Sequence, residues 1–85
     1  MDWSKQELEK IEAVMKHLNA IISVTTGTSV KLDAEKEQVQ FFSESGRMYK
    51  TISVAGDSPL AVAKDVLKQI LLKISGLINR KSQDL

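Results

Sequence analysis

The chain has 85 residues, no cysteine, a net charge of +1, and 42% hydrophobic and 27% charged residues. That length holds one domain with a thin core, and the composition is that of a folded chain rather than a disordered one. The missing cysteine excludes a disulfide framework, a thiolate zinc site and a thiol nucleophile together, and it fits a reducing, cytoplasmic setting.

The start, Met1-Asp2-Trp3-Ser4, has no basic segment followed by an apolar run, so no signal peptide is expected. The first element is a helix from Ser4 to about Ser23. Ser4 and Glu7 have the capping-box spacing, in which each side chain satisfies a first-turn N–H of the other. Trp3 and Leu8 flank the cap as a hydrophobic staple. Leu8, Ile11, Val14, Met15, Leu18, Ile21 and Ile22 recur at helical spacing on one face. The β-branched Val24-Thr25-Thr26 and then Gly27 end the helix.

Three strands follow: Thr28 to Leu32, Gln38 to Ser43, and Arg47 to Val54, with Asp33 to Lys36 as the first turn. Ser45-Gly46 marks a hairpin. Read as a two-residue loop, it opposes Glu44 to Arg47 and Phe42 to Tyr49. Val39, Phe41, Met48 and Ile52 then share the opposite face, with Lys50 the misfit. A three-residue loop with a glycine bulge would shift the pairing by one and scatter the apolar set, so the two-residue loop is preferred.

The second helix opens at Asp57-Ser58-Pro59, a cap followed by Pro in the first turn. Leu60, Ala63, Val66, Leu67, Ile70, Leu71, Ile74, Leu77 and Ile78 are expected on its buried face, and Leu72 projects onto the polar face. The run from Val66 to Ile78 is broken by Lys68, Gln69 and Lys73, and is too short and too charged to span a bilayer. Residues 79–85 read as a frayed polar tail. The expected fold is therefore a single α+β domain over residues 1–85. It is a two-layer α-β-β-β-α arrangement, a three-stranded antiparallel meander with both helices on one face.

No catalytic or metal-binding constellation is legible, so a non-enzymatic protein without cofactor or metal is expected. His17 is the only histidine and lacks companions for a metal or a triad. Glu7, Glu9 and Glu12 fit the N-terminal half of a helix, where the dipole favours acids. The four glycines are dispersed and form no phosphate-binding loop.

What remains is surface. In the preferred register Phe42 and Tyr49 form an aromatic pair on the sheet face away from the helices, beside Lys31, Gln40, Arg47 and Thr51. Such a face suits a protein partner. Leu72 suits a helix-mediated homodimer. The leading reading is an accessory protein acting by protein–protein binding, possibly as a homodimer. The alternative is a nucleic-acid-binding module using Lys64, Lys68, Lys73, Arg80 and Lys81. Charge disfavours that alternative, because a nucleic-acid-binding domain this small usually carries a much larger positive excess than +1. The asymmetry along the chain is mild and fits ordinary solvated faces, with five Lys and seven Asp or Glu in residues 1–42 and seven Lys or Arg and four Asp or Glu in residues 43–85.

The element order resembles that of the double-stranded-RNA-binding domain, and Ala63-Lys64 looks like that family's Ala-Lys step. The basic pair opening the family's second helix is replaced here by Pro59-Leu60, which removes its phosphate-binding lysines. The same order is similar to that of the dimeric YbaB nucleoid-associated family. The stretch from Val30 to Leu60 resembles the hairpin-then-helix region of FlaG-type flagellar proteins. These resemblances rest on element order, and none identifies a family.

Overall fold

The computed structural model describes the chain from Trp3 to Gln83, and its side chains as far as Gly76. Helix α1 (Lys5–Thr25) is followed by strands β1 (Ser29–Asp33), β2 (Gln38–Phe42) and β3 (Met48–Ser53), and then by helix α2 (Pro59–Gln83). The expected α+β order is the observed one.

The capping box forms. Ser4 Oγ accepts from the Glu7 N–H, and Glu7 Oε1 accepts from the Ser4 N–H, each at 3.1 Å. Ile11, Met15, Leu18 and Ile22 are the buried face of α1. The helix runs two residues past Ser23 and closes where Gly27, at φ +72°, donates its N–H to the Ile22 carbonyl. Positive φ at that position favours glycine. Trp3 is buried as well, and its Nε1–H donates to the Asp57 carbonyl at 2.6 Å. It therefore ties the start of α1 to the loop before α2, a contact across 54 residues.

The sheet has the order β1-β2-β3, antiparallel throughout. Val30, Val39 and Phe41 are buried on the face that packs against both helices, with Leu32 and Ile52 partly buried beside them. On the opposite face Lys31, Gln40 and Thr51 stand in one cross-strand row, and Ser29, Phe42 and Met48 in another.

The hairpin corrects the expected loop. Gly46, at φ +86°, donates to the Ser43 carbonyl, and Ser43 donates to the Arg47 carbonyl. That pattern is a three-residue loop, Glu44-Ser45-Gly46, with a glycine bulge. Phe42 consequently pairs with Met48, not with Tyr49. Met48, expected on the inner face, therefore stands on the outer face and is exposed, but beyond it a second irregularity between Phe41 and Phe42 restores the register. Phe41 pairs with Lys50 and Val39 with Ile52, as the two-residue loop would have given. Tyr49 is the extra residue.

The buried face of α2 also departs from expectation. Val62 and Val66 are fully buried, with Ile70 partly so. Leu60, Leu67 and Leu71, expected in the core, are exposed. The apolar arc of α2 is wider than the surface that one sheet face and α1 offer it, so only its centre is covered. Helix α2 is assigned as far as Gln83, and the end of the expected polar tail, residues 84–85, lies outside the described residues. No Gly or Pro interrupts residues 79–83, and Arg80, Lys81 and Gln83 are of residue types that favour helix. The side chains of Leu77, Ile78, Arg80 and Lys81 lie outside the described residues.

Candidate functional site

Among the described residues, four of the eight exposed large hydrophobic side chains lie on α2. Leu60, Leu67, Leu71 and Leu72 are 65, 42, 61 and 57% exposed. Lys64, Leu67, Lys68, Leu71, Leu72 and Ser75 line a shallow depression of about 350 Å³. Isolated surface leucines are ordinary, but a contiguous group marks a contact surface.

The spacing of these residues is informative. Leu60, Lys64, Leu67, Leu71, Ile74 and Ile78 follow alternating steps of four and three along the helix. That is the period of a helix–helix seam, in which one side chain per step becomes a knob for a facing helix. Val62 and Val66 point instead into the core. The helix thus carries two apolar faces, one used by the fold and one free. The sequence showed both merged into one broad stripe.

The sequence-derived site residues separate in space. Phe42 is half-buried on the outer sheet face, whereas Tyr49 is turned to the helix side. A bulge places both of its residues over the same partner residue, so Tyr49 and Lys50 both sit over Phe41. The Tyr49 ring lies 6.3 Å from Phe41, tilted by 52°, and Lys73 Nζ stands 4.8 Å from its centroid. The expected Phe42–Tyr49 pair therefore does not exist, because the bulge sends the two rings to opposite faces. Burial pushes the Tyr49 phenol above its ordinary pKa. Arg47 is exposed beside the hairpin loop, and Lys31 is exposed in the outer row. Leu72 alone of the five joins the α2 surface.

The basic set divides too. Lys64 and Lys68 flank the leucines, while Lys73 turns to the other flank of α2 and covers Tyr49. His17 is exposed on α1. Among the described residues no group of three His, Cys, Asp or Glu converges to hold a metal ion, and no helix is long and apolar enough to cross a membrane.

A second, smaller cleft lies between β3 and α2. Phe41, Tyr49, Lys50, Gln69, Leu72 and Lys73 line it, with a volume of about 240 Å³. Lys50, the misfit of the inner face, resolves here: its Nζ donates to Gln69 Oε1 at 2.6 Å. Near the start of α2, Asp57 has its pKa raised by burial and by the neighbouring carboxylate of Asp65.

The fold is a small α+β domain with an exposed row of leucines on α2. The chain matches no family model, no curated protein and no solved structure in comparisons with known proteins.

Proposed function

We propose that this domain is a non-enzymatic protein-binding module that acts as a homodimer, joined through the outer face of α2. The observation that carries this reading is the exposed row Leu60, Leu67 and Leu71 at seam spacing on a helix whose other face already serves the core.

The row also favours a second copy in antiparallel orientation. A parallel pair would oppose Lys64 to its own copy, two like charges in one layer. An antiparallel pair centred near Gln69 opposes Leu67 to Leu71 and Lys64 to Ile74. Each Lys64 stem then lies along an isoleucine with its ammonium reaching water. A single polar residue in such a seam is a known way of fixing register and orientation. The contact is isologous, so it closes on itself and forms no filament.

Because the chain has no cysteine, disulfide trapping reads this directly. Chains carrying Leu67→Cys are mixed with chains carrying Leu71→Cys and oxidised. The antiparallel seam yields the mixed disulfide in excess over either same-residue disulfide. Same-residue disulfides in excess would show a parallel pair. No trapping faster than for Ser45→Cys, a hairpin control, would remove the α2 dimer.

A further inference from the structure

We infer that the cleft between β3 and α2 receives an extended, acidic segment of a partner protein, which adds to the open edge of β3 as a fourth strand. This rests on the reading of the domain as a protein-binding module, but not on the α2 dimer.

The first support is the backbone. Val54 donates its N–H to the Glu37 carbonyl across the β2–β3 pair. Hydrogen-bonded pairs alternate along an antiparallel ladder. Lys50 and Ile52 therefore turn their backbone groups toward β2, and Thr51 and Ser53 turn theirs outward. Both residues are exposed, and among the described residues nothing bonds to those outward groups. The other edge is treated differently. On β1 the outward N–H and carbonyl of Val30 are both taken by the Asn19 amide. An open edge is a template for a further strand, and β3 offers the less obstructed one.

The second support is charge. Lys50 and Lys73 stand in the cleft beside this edge, and no carboxylate lines it. Their contacts there are neutral, the Gln69 amide and the Tyr49 ring. The nearest acid on that flank of α2, Asp65, is one turn before Gln69 and engages Asp57. An added strand places alternate side chains into the cleft, where carboxylates meet the two ammonium groups. Its other side chains fall beside Thr51 and Ser53 on the outer face, where small β-branched groups pair well. The other β-edge cleft, lined by Glu12, Lys16 and Lys31 among others, contains its own acid and lacks this bias.

The test uses two short fluorescein-labelled peptides, one alternating Glu and Thr and one alternating Lys and Thr, titrated with the intact chain and read by fluorescence polarisation. The Glu peptide is expected to saturate below about 1 mM and to bind more tightly than the Lys peptide by about tenfold or more. Lys50→Glu with Lys73→Glu should reverse that preference. Thr51→Pro should abolish binding while leaving the fold intact, since an outward-facing N–H on an edge strand is outside the β2–β3 ladder. Equal binding of both peptides, no saturation, or an unchanged preference in the charge-reversed chain would overturn the proposal. A Leu67→Glu, Leu71→Glu chain should still bind the Glu peptide. Loss of binding there would show that the cleft and the seam are one site, against the inference.

Discussion

Asn19 takes both backbone groups that Val30 turns away from the sheet: its Nδ2 donates to the Val30 carbonyl at 2.9 Å and its Oδ1 accepts the Val30 N–H at 2.8 Å. One helical side chain thereby does the work of a neighbouring strand. It fixes α1 over β1 and leaves β3 as the more open edge. Asn19→Leu keeps the apolar bulk but leaves the two groups without a protein partner. We expect a loss of about 1–3 kcal/mol, measured by urea unfolding with an unchanged slope.

Trp3 is the second fastening. Trp3→Phe keeps much of the buried ring but removes the N–H that reaches the Asp57 carbonyl, at an expected cost of about 1 kcal/mol. Trp3→Ala also removes the buried ring, at about 3–5 kcal/mol, which is a large part of the stability of a domain this small. Thermal unfolding followed by circular dichroism separates the two. Equal midpoints for both variants would show that the ring contributes nothing beyond its hydrogen bond.

Two glycines should respond in opposite directions to alanine. Gly46 sits at φ +86° in the hairpin, where a Cβ is strained, and Gly46→Ala should destabilise by roughly 1–2 kcal/mol. Gly76 lies within α2, and nothing stands within 4 Å of a Cβ built there. Gly76→Ala should stabilise the helix by up to about 1 kcal/mol. Chemical denaturation of both variants checks the pair of signs.

How much of this was legible varies by element for physical reasons. Helix α1 reads well because its cap is local and the centre of its apolar arc, Ile11, Met15, Leu18 and Ile22, is buried, although Ile21 at the edge of the arc is exposed. The hairpin reads in part. Gly46 suits both loop types, and the bulge at Tyr49 that reconciles the glycine loop with the apolar pattern leaves no mark of its own. It is what separates Phe42 from Tyr49. The free face of α2 was hidden because Leu60, Leu67 and Leu71 look like core residues in a helical pattern. The available clue was excess: α2 has more apolar circumference than a domain of this length can cover. Leu72, which did stand out, belongs to the same surface. The Trp3–Asp57 contact, joining residues far apart in sequence, has no local signature.

The Asp57–Asp65 pair gives a pH signature. With its pKa raised, Asp57 holds its proton to higher pH in the folded chain than in the unfolded one. The folded state is therefore favoured as pH falls into the carboxylate range, and loses that advantage as pH rises through the folded pKa. Asp65→Asn removes the repulsion. It should raise the melting temperature modestly at neutral pH and change nothing once the pH is low enough to protonate Asp57. Both groups are near solvent, so added salt should shrink the effect. A pH-independent difference between the variant and the unmodified chain would contradict this origin.

The central claim is that the free face of α2 is covered by a second copy. Sedimentation equilibrium of the unmodified chain, from micromolar to near-millimolar concentration, tests it most directly. The account predicts a mass rising from that of one chain, 9.4 kDa, to twice that value, with Leu67→Glu plus Leu71→Glu remaining at the single-chain mass and keeping its helical circular dichroism. A single-chain mass for the unmodified protein at every concentration, or a dimer that survives both substitutions, would contradict it.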